Sequence, residues 1–238
     1  MKTFRANSGP FQERPYYELQ EIENICADEL RKAGLYPSNP SPIRIDRFIE
    51  KRFQIVPIYD SLSPNLLGYT KFGPRGVEEI VVSRALAEDG NKVAERQMNS
   101  TLAHEAGHGL LHAYLFALEP VRYRSLFGVD LDPKTPKILC RGEVAESGGR
   151  GKRPYDGKWW EFQANQAIGA MLLPRALVAD CLDSFLTRKG KFGVGILPSE
   201  RRSEAVRRLS ETFDVNPAVA RIRLEDVFGE GDSSQLTL

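Results

Sequence analysis

All three histidines of this 238-residue chain lie within the segment HEAGHGLLH, which runs from His104 to His112. Residues 91 to about 118 contain no proline, and apolar side chains recur there at helical spacing, so a helix with a broad buried face is predicted. On a helix, His104 and His108 lie one turn apart on the same face, and both imidazoles can bind one cation from one side. Without a cation, a buried cluster of this kind would be costly to desolvate. The sequence therefore predicts a buried helix that carries two metal ligands.

Glu105 lies beside these two histidines on the predicted helix. A carboxylate next to a metal ion can take a proton from an attacking water molecule and pass it to the leaving amine. The HExxH spacing of His104, Glu105 and His108 is typical of metallopeptidases. We therefore interpret the two histidines as metal ligands and Glu105 as a catalytic base.

A catalytic metal site of this type needs a third protein ligand. His112 lies eight residues beyond His104, which is about 12 Å along a helix axis, so a straight helix cannot direct both at one ion. We interpret His112 as a hydrogen-bonded histidine or a wall of the pocket. Glu161, in the apolar segment WWEFQANQAIGAMLLP, is the better candidate, but acidic residues also favour the first turn of a helix for electrostatic reasons. The residues alone leave both interpretations of Glu161 open.

Asn165 stands one helical turn after Glu161. A helix that provides a ligand at one position and a hydrogen-bonding side chain four residues later can also orient a histidine ligand on a facing helix. We therefore expect Asn165 to form a hydrogen bond with one of the two histidine ligands, on the side of the ring away from the metal.

Two sequence blocks are similar to those of a known family. TLAHEAGHGLLH resembles the HExGHxxLH helix of the ImmA/IrrE metallopeptidases, and EFQANQAIGAMLLP resembles the second block of that family, ExxANxFAxxLLMP. The segment GYTKFGPRGVEEIVVS occupies the place of the family's upstream hairpin, so the resemblance covers about residues 40–180. Leu173 departs from the pattern, which has methionine before the proline.

The resemblance implies a gluzincin-like α+β fold in which His104, His108 and Glu161 bind the metal and Glu105 acts as the base. The expected metal is Zn²⁺, and Mn²⁺ or Fe²⁺ also suit two imidazoles and a carboxylate. Members of the family typically cut or inactivate helix-turn-helix transcriptional repressors and so switch on stress or mobile-element genes. The implied activity is a narrowly specific metallo-endopeptidase that acts on such a protein substrate.

Three tyrosines are candidate donors to the oxyanion that develops when a peptide bond is hydrolysed. These candidates are Tyr114, Tyr123 and Tyr155. Nothing in the sequence selects among them.

Secondary structure before the histidine segment is predicted to be mixed. Segments rich in β-branched and aromatic residues predict strands at 53–59, 66–72 and 77–83. GPRG joins the last two segments as a hairpin, so a small antiparallel sheet is expected. A further helix is predicted from residue 159 to the proline at 174.

We expect a zincin-like metallopeptidase domain over residues 12–185, with a long irregular insertion at 119–158. A helical C-terminal region is expected at 186–228. The last residues, 229–238, are predicted to be a disordered tail.

The segment EAVRRLSETFDVNPAVARIRLEDVF predicts two helices joined by a tight turn, which is also the outline of a DNA-binding helix-turn-helix. Asp214 stands where such motifs usually place glycine, and several acidic residues dilute the positive charge. We therefore expect a helical hairpin packed on the peptidase domain, and we do not expect direct DNA binding. Six arginines are nevertheless candidate phosphate contacts: Arg201, Arg202, Arg207, Arg208, Arg221 and Arg223.

The alternative function is a transcriptional regulator or toxin–antitoxin partner that binds DNA or protein and has a non-catalytic metal site. An intact Glu105 favours the peptidase, because a purely structural metal site has no use for a base beside its ligands.

The composition excludes several other classes of protein. The chain has 33 basic and 32 acidic residues and a formal charge of +1, so no overall field attracts nucleic acid or an anionic membrane. No segment approaches the roughly 18 apolar residues of a membrane span, and no secretory signal is visible, so a cytoplasmic location is expected. Three widely separated cysteines, one of them Cys140, predict no disulfide framework. The oligomeric state is left open.

Overall fold

The computed structural model describes residues 2–5, 13–73, 75–118, 137–141, 159–189 and 194–229. Within these ranges the helices are α1 (Leu19–Lys32), α2 (Ile45–Phe53), α3 (Arg84–Glu88), α4 (Lys92–Leu111), α5 (Ala113–Leu118), α6 (Trp159–Leu172), α7 (Arg175–Cys181), α8 (Arg202–Phe213) and α9 (Pro217–Phe228). The strands are β1 (Lys2–Arg5), β2 (Glu13–Tyr16), β3 (Ile58–Asp60), β4 (Leu66–Gly73), β5 (Gly76–Ser83), β6 (Lys137–Arg141), β7 (Thr187–Lys189) and β8 (Val194–Ile196). The protein therefore combines helices with a small amount of sheet.

Four strands form the main sheet in the order β3-β5-β4-β6. The predicted hairpin is confirmed, because β4 and β5 pair antiparallel with Gly73 opposite Gly76. β3 pairs parallel with β5, so the sheet is mixed and the prediction of an antiparallel sheet is wrong for this strand. The loop at 61–65 reverses the chain after β3 and is long enough to cross one strand position, which allows β5 to insert between β3 and β4.

The strand predicted at 53–59 is much shorter in the structure. Helix α2 continues to Phe53, and Gln54 ends it in the left-handed conformation with φ of 60°. Only Ile58–Asp60 remains as strand. The β-branched and aromatic residues of 53–59 predicted too long a strand, because the first two residues of this segment complete and end the preceding helix.

Three other regions contain strands that the sequence did not predict. Near the start of the described chain, β1 and β2 pair antiparallel. The segment 119–158 was expected to be irregular, but it contains β6, which pairs antiparallel with β4. The rest of that segment, at 119–136 and 142–158, lies outside the described residues. The C-terminal region is not purely helical either, because β7 and β8 form a two-stranded ribbon. The predicted tail lies outside the described residues beyond Gly229.

Helix α4 lies at the centre of the fold. It contacts β4 and β5 and also packs along α6. Every residue from Ser100 to Gly109 is buried, so this half of the helix is covered on all sides. The predicted helix is confirmed from Lys92 to Leu111, where it ends, and the remainder of the predicted span forms the separate helix α5 after His112. The polar residues His104, Glu105 and His108 of α4 occupy interior positions.

Helices α8 and α9 share one continuous hydrophobic core with α1 and α6. Leu209 and Phe213 of α8 and Leu224 of α9 are buried in it. The turn between the two helices contains Asp214, which adopts the left-handed conformation with φ of 54°. Its carboxylate accepts hydrogen bonds from Lys92 at 2.6 Å and Arg96 at 2.9 Å, both on α4. This turn is therefore attached to the start of the central helix.

Arg223 is buried, and the suggestion that it contacts phosphate is wrong. Its side chain is 1% exposed, Nη1 donates to Glu23 Oε1 at 2.6 Å, and Nε donates to the Leu173 carbonyl oxygen at 2.9 Å. Two further candidates, Arg201 and Arg202, donate to backbone carbonyl oxygens of the chain. These contacts favour a helical hairpin that packs on the rest of the protein.

Gly107→Ala tests the packing of α4 against α6. A Cβ at this position would lie 2.8 Å from Ala167 Cβ and 3.3 Å from the Ala164 carbonyl oxygen. Replacing a helical glycine by alanine ordinarily stabilises a helix by about 1 kcal/mol, whereas overpacking costs about 1–3 kcal/mol. We expect the free energy of unfolding, measured by urea denaturation, to fall by about 1 kcal/mol or more. A variant at least as stable as the wild type would contradict this packing.

Candidate metal centre

His104 and His108 lie on one face of α4, as their spacing predicts. Their Nε2 atoms are 3.0 Å apart, and their side chains are 1% and 0% exposed. Because neighbouring elements cover this part of α4 on all sides, both Nε2 atoms lie in the protein interior.

Glu161 lies in the first turn of α6, and α6 packs directly on α4. Its Oε2 atom is 3.2 Å from His104 Nε2 and 3.8 Å from His108 Nε2. One ligand atom from each of the three residues lies within 4.8 Å of the others. Of the two interpretations of Glu161, the structure favours the one that joins it to the histidines. The three residues form a buried cluster that can hold a metal ion.

Asn165 contacts the opposite side of the His104 ring. Its Oδ1 atom is 3.0 Å from His104 Nδ1. An amide oxygen can only accept a hydrogen bond, so Nδ1 carries a proton, and in the neutral ring the lone pair lies on Nε2. Asn165 thereby orients the ligating nitrogen of His104 toward Glu161.

The cluster favours positive charge at its centre. Burial opposes ionisation of Glu161, but His108 and the hydrogen bond to His104 hold the Glu161 pKa well below its usual range. Burial also opposes protonation of His104, yet the hydrogen bond to Glu161 leaves the His104 pKa raised. The pKa of His108 is lowered, mainly by burial. A proton on His104 and a divalent cation would therefore compete for one position, and binding of a metal would release that proton.

Glu105 is fully buried against strand β4. Its Oε2 atom accepts a hydrogen bond of 2.5 Å from the Thr70 hydroxyl, whereas Oε1 has no hydrogen-bond partner among the described residues. Burial raises the pKa of Glu105 to about 8, although His104 and the Thr70 hydroxyl oppose the rise. This carboxyl group can therefore exchange a proton near neutral pH, which is the range that suits a general base.

Thr70 and Gly68 shape the surroundings of Glu105, and sequence analysis missed both. A Cβ at Gly68 would lie 3.3 Å from Glu105 Oε1 and 2.8 Å from the Val81 carbonyl oxygen. The alternation of strand β4 buries Gly68, Thr70 and Phe72. The available signal was a threonine at an inward position of an otherwise apolar strand face.

His112 is not part of the ligand cluster. It ends helix α4, and its Nδ1 atom is 2.9 Å from His108 Nδ1, which is the ring nitrogen on the far side from Glu161. Its other nitrogen, Nε2, is 3.0 Å from Oε1 of Gln163, a second residue that sequence analysis missed. The interpretation of His112 as a hydrogen-bonded histidine agrees with these contacts. The signal for Gln163 was an amide inside an apolar helix.

Of the three tyrosines proposed as oxyanion donors, the described residues include Tyr114. It lies on α5, packs beside a cluster of Phe72, Leu115, Trp159 and Trp160, and forms a side-chain hydrogen bond with Tyr17. Tyr123 and Tyr155 lie outside the described residues. The assignment of an oxyanion donor therefore stays a prediction.

A scan against models of known protein families gives no match for this chain, and searches of curated proteins and of solved structures also give none. In the parts of the chain that the structure describes, no helix is both long enough and apolar enough to cross a bilayer. Inference about function therefore rests on the geometry of the buried cluster and on the two sequence blocks that contain His104 and Glu161.

Glu161→Gln tests the cluster as a metal site. We expect the wild type to bind one Zn²⁺ per chain, and its affinity should rise with pH because a proton on His104 competes for the site. The neutral amide removes the anionic ligand, so Zn²⁺ affinity should fall by at least about 100-fold, more than for residues that only support a ligand. Competition with a chromophoric chelator measures this affinity. Glu211→Gln, an exposed position on α8, is the matched control, and equal affinity in both variants would remove Glu161 from the site.

Glu105→Gln tests the raised pKa of Glu105 through stability of the metal-free protein. A carboxyl with a pKa near 8 when folded and near its ordinary value when unfolded binds more protons when folded, so its contribution to stability falls as pH rises between these values. A neutral amide does not ionise. Urea denaturation should therefore show Glu105→Gln gaining up to about 3 kcal/mol relative to wild type between pH 5 and pH 8. A stability difference that does not change with pH would contradict the shift.

Proposed function

We propose that this chain is a zinc-type metallo-endopeptidase that cleaves a helix-turn-helix transcriptional repressor and thereby derepresses stress or mobile-element genes. The observation that carries the proposal is the convergence of His104, His108 and Glu161, with Glu105 buried beside them and hydrogen-bonded to a different element. Three protein ligands leave one coordination position open, which is typical of catalytic zinc sites, whereas structural zinc sites use four.

The donor set suits Zn²⁺ and also Mn²⁺ or Fe²⁺. His104 can offer an unprotonated Nε2, since its proton on Nδ1 is held by the hydrogen bond that Nδ1 donates to Asn165 Oδ1. Glu161 supplies the anionic oxygen, and its lowered pKa keeps it ionised across the neutral range. When bound, such a cation polarises a peptide carbonyl group and lowers the pKa of a water molecule.

Glu105 is the proposed base. The Thr70 hydroxyl holds Oε2, so Oε1 is the oxygen that remains to take a proton from the attacking water. The charge of a cation on the neighbouring ligands favours the ionised carboxylate before this step. Once protonated, the carboxyl group is neutral, and burial then favours it until the proton passes to the leaving amine.

The substrate class is inferred from the two motif blocks alone. ImmA/IrrE peptidases typically act on helix-turn-helix repressors in the cytoplasm, and the blocks around His104 and Glu161 resemble theirs. We therefore propose a regulatory peptidase with one or a few protein substrates and not a digestive enzyme.

The alternative function, a DNA-binding regulator or toxin–antitoxin partner with a non-catalytic metal site, has less support. A non-catalytic site gives no reason for a carboxyl group beside the ligands whose buried Oε1 atom has no partner in the described parts of the chain. In the candidate DNA-binding helix α9, Arg223 is buried against Glu23 instead of facing outward.

Wild type and Glu105→Gln, expressed at equal levels in cells that lack the native protein, test the proposed activity. We expect new protein N-termini, identified by N-terminal labelling and mass spectrometry, only with the wild type, and at least one should fall within a helix-turn-helix repressor. Loss of the base should lower cleavage of that repressor in vitro by a factor of about 10²–10⁴. Metal content of the purified variant should remain that of wild type.

The matched control is Glu95→Gln, which changes an exposed glutamate on the same helix and should cleave like the wild type. Full cleavage by Glu105→Gln would show that the assigned base is wrong. If neither protein produces new N-termini while both retard repressor-operator DNA in a gel, the regulator alternative is correct.

A further inference from the structure

A row of buried hydrogen bonds leads from the N-terminal part of the chain to the ligand His108. The Gln163 side chain donates from Nε2 to the Pro15 carbonyl oxygen at 3.0 Å. Gln163 Oε1 lies 3.0 Å from His112 Nε2, and His112 Nδ1 lies 2.9 Å from His108 Nδ1. Gln163 is 4% exposed, and both histidines are 0% exposed. Neither Gln163 nor His112 belongs to the ligand cluster, so the cluster itself gives no reason for these hydrogen bonds.

Two of the hydrogen bonds in the row have only one permitted direction, because each has an oxygen that can only accept. A carbonyl oxygen cannot donate, so Gln163 presents its amide nitrogen to Pro15 and its oxygen to His112. That oxygen also cannot donate, so His112 carries its proton on Nε2. A fully buried histidine bonded to an amide and another imidazole is favoured in its neutral form, which leaves His112 Nδ1 as an acceptor.

The remaining bond then determines the tautomer of His108. Because His112 Nδ1 accepts, His108 Nδ1 must donate, and the lone pair of His108 lies on Nε2. Nε2 is the atom that faces His104 and Glu161. In the opposite tautomer, His108 Nε2 would carry a proton and would be unable to bind a cation.

We propose that Gln163 and His112 are positioning residues that hold His108 in its metal-binding tautomer, with the Pro15 carbonyl oxygen as the fixed end of the row. His104 is oriented by the one hydrogen bond that it donates directly to Asn165, whereas His108 is held to the Pro15 carbonyl oxygen through two intervening side chains, His112 and Gln163. The row also links the segment that contains β2 to the metal centre, so displacement of Pro15 would free Gln163 to turn its amide. This inference rests on the proposed metal site.

The test is Zn²⁺ affinity of the whole chain, measured by competition with a chromophoric chelator. Gln163→Met keeps the length and apolar volume of the side chain but removes the acceptor for His112. We expect its Zn²⁺ affinity to fall by about 10- to 100-fold, the effect typical of residues that support a metal ligand. The matched control is Gln166→Met, three residues along α6, where the amide oxygen has no partner among the described residues. Its affinity should stay within about threefold of wild type, a change of less than 1 kcal/mol.

A second pair of variants separates tautomer control from packing. His112→Leu fills the space without a polar atom, and its affinity should fall like that of Gln163→Met. His112→Asn is smaller and packs less well, but its amide oxygen can accept from His108 Nδ1. We therefore expect His112→Asn to bind Zn²⁺ about tenfold or more tighter than His112→Leu, although it should not be more stable to urea in the metal-free state.

The outcomes distinguish this inference from the proposed function. If the wild type binds no Zn²⁺, Mn²⁺ or Fe²⁺, the metal site and this inference both fail. If the wild type binds Zn²⁺ and Gln163→Met binds within threefold of it, only the inference is overturned. If Gln163→Met does not fold, equal affinities of His112→Leu and His112→Asn overturn it, and the expected tenfold difference supports it.

Discussion

A helix that is buried on every side must find a partner for each polar group it carries, since a buried unpartnered group costs roughly 1–3 kcal/mol. Helix α4 meets this constraint with residues from the elements packed around it. Helix α6 presents Glu161 and Asn165 to His104, and strand β4 presents Thr70 to Glu105. Hydrogen bonds and ion pairs to the polar residues of α4, as well as packing on its apolar residues, therefore determine where α6 and β4 lie. Oxygen Oε1 of Glu105 is left without a partner among the described residues, beside the candidate ligands, where the proposed hydrolysis requires a proton acceptor.

The sequence was most informative where the deciding interactions are local. Helices α4 and α6 are long and apolar, and the spacing of His104 and His108 follows from helix geometry alone. The role of Glu161 depends on the contact between α4 and α6, which no local sequence pattern reveals. The residues alone therefore could not separate its two interpretations. The parallel pairing of β3 was missed for a similar reason. Three residues carry little pattern, and their partner β5 is separated from them by the whole of β4.

Single polar residues inside apolar segments were the overlooked signals. Thr70 on β4 contacts Glu105 of α4, and Gln163 on α6 contacts His112, the residue that ends α4. The interpretation of Arg223 as a phosphate contact was wrong because it counted the positive charges of the segment without asking which face of the helix each arginine occupies. Ala220 and Leu224 are buried on the same helix, and position 223 falls on the stripe between them, so helical periodicity already placed this arginine in the core.

The ion pair between Arg223 and Glu23 joins helix α9 to helix α1, close to the two ends of the described chain. During synthesis on the ribosome, Glu23 emerges long before its partner, and burying its charge unpaired would be strongly unfavourable. Arg175 reaches the same carboxylate at 3.5 Å, but it is largely solvent-exposed and neutralises it less completely. Helix α1 therefore lacks the nearest partner of its buried carboxylate until α9 has been translated. The packing of α1 against α6 thus becomes fully favourable only after the ribosome has synthesised most of the described chain.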